Sequence, residues 1–405
     1  MIYDFNVVLL VYSSIYLCYR LFKGYQVIYN QFFILNIFFT LYFLIPSVFY
    51  FDIVKYNNWN IPDGNYILSS VLVTYYFLIF HVSLVFSKDF EPKVNFNSYS
   101  KLANRIAKAI YYTLLFYVIA VFILNGGDLV SSTYTNQNYT GEQPLSIYKI
   151  KNIAYLSIFL VPFLYVQTKR SVYFLLGLFL IILDLAQGTR TIAFIAFSTC
   201  YLSYVYTCGN LRLKLVFLVI ILMGLTGYYS RASILELMDV PWYISAIGEF
   251  KETYIPLPLL ISNADFVGAG SWVGYLSVIF GGVLQPFISF FMSDFVVAAQ
   301  AIVKIVARGY GQGSNLIVES LYQGWYYTLI YPFIVILVIK SFNYCIKYSS
   351  IGLMLAILSF VLLRLGIREG LLVHTAYSIY FVLFYWLPVI LLIKVLSKKN
   401  EETPI

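Results

Sequence analysis

The chain has 405 residues, of which 61% are hydrophobic and only 11% are charged, and its mean hydropathy is +0.81. Soluble globular domains carry about 25% charged residues, so this composition excludes that class and indicates an integral membrane protein. The net charge of +8 does not indicate nucleic-acid binding, because basic residues in a membrane protein mainly set its orientation. The four cysteines form no C-x-x-C pair, which argues against a disulfide framework or a structural zinc site.

Apolar segments of about twenty residues recur along the whole chain, and each is interpreted as a membrane-spanning helix. Length and apolar content predict eleven such helices. They lie at about 2–20, 29–50, 65–87, 106–124, 150–167, 171–187, 190–208, 212–229, 324–346, 349–366 and 371–394. Because no internal repeat or soluble domain is visible, residues 1–405 are predicted to form a single all-α polytopic membrane domain.

The positive-inside rule orients these predicted helices. Most lysines and arginines lie at alternate ends of the spans, so the N-terminus is predicted outside and the C-terminus inside. The outer side then receives two large loops, at about 125–149 and 230–323. The chain enters and leaves the second loop on the same side of the membrane. The apolar segment 271–291 is therefore either re-entrant or paired with the weaker segment 295–307, and pairing would give thirteen spans.

Arginine and lysine are distributed differently in this predicted topology. The positive-inside rule does not distinguish the two cations, yet lysine lies mainly inside while most arginines lie outside. An arginine offers a rigid fork of donors that binds phosphate through two hydrogen bonds. Each outer arginine alone could instead pair with a glutamate or extend to the headgroups, but five together favour an anion site at the outer membrane surface. These five are Arg190, Arg231, Arg308, Arg364 and Arg368.

Two of these arginines are four residues apart on one predicted helix. At that spacing the like charges of Arg364 and Arg368 repel by about 0.2–0.5 kcal/mol. A pyrophosphate bound between the two arginines would neutralise this repulsion and be held by both charges. Arg190, in the segment QGTR between two apolar helices, is interpreted in the same way as a phosphate ligand.

The segment GEFKET carries two candidate proton acceptors, Glu249 and Glu252, three residues apart. On a helix they would share one face, and a carboxylate beside an anion site could accept the proton of a hydroxyl nucleophile. Glu249 is the preferred candidate. The alternative is a solvated loop in which these acids pair with nearby basic residues, and it is stronger for Glu252.

The glycine-rich segment 308–315 is followed by a third acid, Glu319. Ser314 and Asn315 could cap the helix that carries it. The segment is neither a dinucleotide-binding nor a P-loop signature, because no strand precedes it and no GK[ST] follows. His374 is a further candidate base near neutral pH, although a role in helix packing is the alternative. No residues have metal-ligand spacing.

Several features occur together in this chain. They are about eleven predicted spans, two large outer loops, the segment QGTR, an arginine at the start of a large outer loop, and the pattern G-x-G-S-N-x-x-x-E…G-W before a late helix. In these features the chain resembles the bacterial oligosaccharide repeat-unit polymerases, the Wzy-type O-antigen polymerases. The resemblance implies a GT-C-like membrane glycosyltransferase of the bacterial inner membrane that acts on its periplasmic face. Such an enzyme moves a growing glycan from one undecaprenyl-pyrophosphate carrier to the next lipid-linked repeat unit.

The resemblance also implies roles for the candidate residues. The five outer arginines would hold the lipid pyrophosphate and stabilise its developing charge. Glu249 would activate the acceptor hydroxyl, with Glu319 and His374 as the next candidates. No nucleotide sugar, metal or other cofactor is expected, and a Wzz-type chain-length regulator is a candidate partner beside the lipid-linked donor and acceptor.

Two alternatives stay open at this point. An O-antigen ligase uses the same lipid-pyrophosphate donor, and the arginines would serve it equally well. A lipid-linked oligosaccharide flippase or an anion transporter belongs to a different class. A transporter is expected to show internal repeats and charges deep in the membrane, whereas the outer arginines gather at one face of the predicted topology.

Overall fold

The computed structural model describes residues 2–56, 63–95, 101–131, 146–186, 190–214, 216, 249–270, 315–371 and 378–391. Within these ranges the regular structure is helical. The β-pairing in the described residues is an isolated antiparallel bridge between Val94 and Ile351. Seven of the described helices are long and apolar enough to cross a membrane. The protein is therefore an all-helical polytopic membrane protein, as the composition predicts.

The described helices are numbered in chain order. The N-terminal part contains α1 (Ile2–Lys23), α2 (Gln31–Phe39), a π-helical turn (Thr40–Leu44), α3 (Ile45–Val48), α4 (Tyr50–Tyr56), α5 (Asp63–Val85), α6 (Lys101–Ser131), α7 (Ser146–Thr168), α8 (Leu175–Ala186) and α9 (Thr191–Cys208). The C-terminal part contains α10 (Glu249–Tyr254), α11 (Pro256–Ser262), α12 (Leu316–Tyr322), α13 (Trp325–Tyr348), α14 (Gly352–Glu369) and α15 (Ser378–Leu391).

Seven of the predicted spans coincide with helices that could cross a membrane. The segments predicted at 171–187 and 371–394 contain shorter apolar helices, Ser171–Ala186 and Ser378–Leu391. The segment predicted at 349–366 is α14. The described residues do not include most of 212–229 or any of 271–291 and 295–307. A total of eleven or thirteen spans therefore stays a prediction. The single domain with two large outer loops also stays a prediction.

The chain divides into two compact units. The first unit comprises Met1–Glu91, Met238–Cys345 and Leu362–Tyr380, and the second comprises Pro92–Leu237, Ile346–Val361 and Phe381–Ile405. In the helix Gln31–Val48 of the first unit 78% of the residues are buried, whereas the share is 28% in the most apolar stretches of Tyr3–Lys23 and Trp325–Tyr348. The exposed apolar faces of α1 and α13 suit contact with lipid, because a helix in a bilayer needs no polar outer face.

Polar side chains join the helices of the first unit. Arg20 at the end of α1 is buried; it donates hydrogen bonds to Asp89 Oδ1 at 2.5 Å and to the carbonyl oxygen of Leu84 at 3.2 Å. Asn30 caps α2 and donates to the same Asp89 oxygen at 3.2 Å. Asn343 of α13 donates to Asn30 Oδ1 at 3.4 Å. These bonds tie α1, α2 and α13 to the segment that follows α5.

The second unit is built on α7, α8 and α9. Its helices approach closely at glycines: a Cβ on Gly177 of α8 would lie 2.4 Å from Cys200 Sγ of α9. Gly352 begins α14 where a Cβ would lie 2.0 Å from the carbonyl oxygen of Ile346 and 2.7 Å from that of Lys93. A larger residue would displace the Cys200 side chain at the first position and backbone at the second, because protein interiors have little free volume.

The ion pair of the first unit gives a prediction about stability. Asp89→Ala should lower the free energy of unfolding by about 3 kcal/mol, because it leaves a buried arginine without its anion. Thermal or denaturant unfolding of the purified protein in detergent measures this change. Lys340→Ala, which removes an exposed charge from the same unit, is the control. Equal stability of the two variants would contradict the structural importance of the pair.

Candidate functional site

Asn315, the last residue of the glycine-rich segment, is buried in the first unit. Its side-chain oxygen accepts hydrogen bonds from the backbone N–H groups of Ile317 and Val318, at 3.0 and 2.8 Å. Its amide nitrogen donates to the carbonyl oxygen of Thr253 in α10, at 2.6 Å. The prediction that a helix is capped here is confirmed for Asn315, while Ser314 lies outside the described residues. The cap is thus anchored on α10, and all seven residues of α12 are buried.

Glu319 lies on α12 and is 6% exposed. Its Oε2 atom accepts hydrogen bonds from the hydroxyl of Tyr331 in α13, at 2.7 Å, and from the backbone N–H of Leu371, at 2.9 Å. Both partners are donors, which matches an ionised carboxylate that can only accept. Hydrogen bonds to a charged group are shorter and stronger than neutral ones. Glu319 therefore connects α12, α13 and the backbone that follows α14.

The backbone beside this carboxylate requires a glycine. Gly370 ends α14 with φ +100, a conformation that residues with a side chain rarely adopt. A Cβ at this position would also lie 2.9 Å from Glu319 Oε1. Both constraints hold the turn after α14 against the carboxylate of Glu319.

The last turns of α14 carry two of the predicted anion ligands, and this part of the helix belongs to the first unit. Arg364 is 5% exposed. The Arg368 Nη1 atom lies 3.1 Å from Glu369 Oε1, and their side chains are 26% and 36% exposed. The spacing of four residues places both arginines on one side of α14, as the sequence predicts. Glu319 fixes the turn that begins two residues after Arg368.

The segment GEFKET forms α10, so Glu249 and Glu252 do stand three apart on a helix. Glu249 is the first residue of that helix, and its side chain lies outside the described part of the chain. Phe250 packs edge-to-face against Tyr42 with 4.9 Å between ring centroids. At the other end Tyr254 is buried, and burial raises the pKa of its hydroxyl. These aromatic contacts anchor the helix that carries both acids.

In the second unit, Arg190 lies at the N-cap position of α9 and is half-buried. Its carbonyl oxygen accepts the first helical hydrogen bond, from Phe194 N at 3.0 Å. The cap itself comes from α8: Asp184 Oδ2 accepts a hydrogen bond from the backbone N–H of Ala193, at 2.7 Å. Asp184, which is 1% exposed, was not among the residues predicted from the sequence. An acid inside the apolar segment LLGLFLIILDLA was the available signal.

The predicted site residues are thus distributed as follows. Four of them, Glu249, Glu319, Arg364 and Arg368, belong to the first unit, and Arg190 belongs to the second unit. Arg231, Arg308 and His374 lie outside the described residues. Within the described ranges, no group of three or more His, Cys, Asp or Glu side chains could hold a metal ion.

No protein-family model matches the chain, and no curated protein or solved structure matches it either.

The contact between Glu319 and Tyr331 can be tested directly. Tyr331→Phe should lower the free energy of unfolding by about 1.5–3 kcal/mol, because it removes a hydrogen bond to a buried charged group. Tyr326→Phe on the same helix is the control, since Tyr326 is 87% exposed. Denaturant unfolding of both purified variants measures the difference. A Tyr331→Phe protein as stable as the control would contradict the assignment of Glu319 as a buried, hydrogen-bonded carboxylate.

Proposed function

We propose that the protein is a membrane glycosyltransferase that polymerises undecaprenyl-pyrophosphate-linked oligosaccharide repeat units into O-antigen or a related surface polysaccharide. The observation that carries this proposal is the pair Arg364 and Arg368 at the end of the apolar helix α14, beside a turn fixed by the buried Glu319. Permanent cations are costly in a membrane helix and are retained where they have a function. A lipid pyrophosphate supplies the matching anion.

The proposed reaction joins two lipid-linked glycans. The hydroxyl at the non-reducing end of the acceptor attacks the anomeric carbon of the donor glycan. The bond between that carbon and the pyrophosphate oxygen breaks, the lipid pyrophosphate leaves, and the hydroxyl proton passes to a general base. Arginine forks can bind the leaving phosphates through two hydrogen bonds and stabilise the charge that develops on them.

Donor and acceptor each carry a pyrophosphate, so such an enzyme uses more than one phosphate-binding position. Arg364 and Arg368 in the first unit and Arg190 in the second are each proposed as phosphate ligands. The proposal extends to Arg231 and Arg308, which lie outside the described residues.

The general base we propose is Glu249, with His374 as the second candidate. The contacts of Glu319 support a different role for that acid. One of its oxygens already accepts two hydrogen bonds, and the other faces the turn at Gly370. Glu319 therefore serves the proposed enzyme best by holding the end of α14, and with it Arg368, in place.

The finer architecture belongs to the same proposal. An enzyme of this kind would lie in the bacterial inner membrane, with about eleven spans in a GT-C-like arrangement and its site on the periplasmic face. The seven described helices that could cross a membrane and the helical segment GEFKET in the second predicted loop are compatible with it. No cofactor is needed for the proposed transfer.

Arg368→Lys tests the pyrophosphate assignment. Lysine keeps the charge but not the fork of donors, so the rate of polymer formation should fall about 100-fold or more. The assay follows chain elongation by the purified protein on lipid-linked repeat units, resolved on a gel. Arg170→Lys, an exposed arginine on the predicted cytoplasmic side, is the matched control. Full activity of Arg368→Lys would refute this assignment.

Glu249→Gln tests the proposed base. The amide cannot accept the hydroxyl proton, so transfer should stop while binding of the lipid-linked donor is retained. Glu252→Gln, three residues along the same helix, should keep activity and serves as the control. If Glu249→Gln abolishes donor binding instead, or if both variants remain active, Glu249 is not the base.

A further inference from the structure

Asp184 is a buried acid in a position that the proposed reaction does not by itself explain. It is the charged residue of α8, whose sequence LLGLFLIILDLA is otherwise apolar, and it is 1% exposed. An ionisable side chain in an apolar helix of a membrane protein is costly, so it indicates a specific role.

The carboxylate of Asp184 binds the start of the next helix. Ala193 is the third residue of α9, and its N–H is among those that have no partner within the helix. A capping side chain usually comes from the N-cap residue itself. Here Arg190 holds the N-cap position without making that bond, and Asp184 Oδ2 accepts from Ala193 N at 2.7 Å. The acid of one helix therefore completes the end of the other.

A second contact, independent of this cap, holds the same two helices in register. Gly177 lies seven residues before Asp184 on α8, and Cys200 lies seven residues after Ala193 on α9. A Cβ on Gly177 would come within 2.4 Å of Cys200 Sγ, so the helices are in direct contact there. Two equally spaced contacts fix the antiparallel pair, and with it the backbone at Arg190.

We propose that Asp184 is a positioning residue for Arg190. By capping α9 from α8, it fixes the backbone from which the Arg190 side chain extends. It also occupies an N–H group at the helix start, where an anion would otherwise bind. In this proposal the guanidinium of Arg190 is the group that binds the phosphate. This inference rests on the proposed function for the identity of the ligand, but not for the geometry.

A pair of substitutions separates capping from charge. Asn at position 184 keeps an oxygen that can accept from Ala193 N–H, whereas Ala does not. Asp184→Ala should raise the half-saturating concentration of lipid-linked repeat unit about tenfold, because binding must then also order a helix start that has lost its cap. Turnover at saturation should change little. Asp184→Asn should restore most of the affinity. Asp265→Ala, an exposed acid of the first unit, is the control.

A double-mutant cycle tests whether Asp184 acts through Arg190. If it does, Asp184→Ala should add little when Arg190 is already Ala, because residues that act as a unit are not additive. Full additivity of the two changes would overturn the proposal. So would a loss of turnover in Asp184→Ala with unchanged half-saturation, since a purely structural role would remove active protein without changing the affinity of the remainder.

Hydrogen exchange distinguishes a failure of this inference from a failure of the proposed function. Backbone amides in the segment 191–197 should exchange faster in Asp184→Ala than in Asp184→Asn or the unaltered protein, with or without any transferase activity. Titration of inorganic pyrophosphate into the full chain then tests the ligand. Equal exchange in all variants would overturn the positioning role. If exchange is faster in Asp184→Ala but the unaltered protein neither binds pyrophosphate nor transfers glycan, Asp184 still positions the backbone at Arg190. The proposed function would then be rejected.

Discussion

Buried carboxylates in this protein accept hydrogen bonds from backbone N–H groups at places where one helix ends and another segment begins. Water cannot satisfy polar groups inside an apolar bundle, so each of them needs a partner within the chain. Glu319 accepts from Leu371, directly after α14, and Asp184 accepts from Ala193, at the start of α9. In each unit the helix connection is thus fixed by a buried carboxyl group.

An arginine stands three residues before each of these N–H groups: Arg368 before Leu371, and Arg190 before Ala193. In the described part of each unit an acid thus holds a backbone N–H that an arginine precedes by three residues, at the end of α14 in the first unit and at the start of α9 in the second. Arginine can bind a phosphate with two parallel hydrogen bonds only if its backbone is well placed. The buried acids supply that placement, and this is why the proposed function gives the arginines the contact with substrate and gives Glu319 and Asp184 a supporting part.

The sequence predicted the parts of the fold that depend on local physics. Apolar segments of sufficient length located seven helices that could cross a membrane, and the capping preference of asparagine located the start of α12. Hydropathy did not predict the π-helical turn at Thr40–Leu44 inside the second span. Nor did it predict that α6 continues to Ser131 beyond its apolar part, because a helix can extend past the membrane once its backbone bonds are formed.

The partners of the buried acids could not be predicted, for a related reason. Tyr331 and Leu371 are 12 and 52 residues from Glu319 along the chain, and only the packing of α12, α13 and α14 brings them together. Glu319 was a further candidate base because of its place after a glycine-rich segment, which carries no information about hydrogen bonds. Asp184 was visible as an acid in an apolar segment, but its partner follows from the register of two helices.

The proposed activity is tested most directly by the surface polysaccharide of cells that lack this gene, resolved on a gel beside that of the parent strain. A polymerase predicts a single repeat unit on the lipid A core with no ladder above it, and the gene supplied in trans should restore the ladder. An unchanged ladder would contradict the proposal. A core with no repeat unit would also contradict it: polymeric glycan trapped on the lipid carrier would then indicate a ligase, and its absence would indicate a flippase.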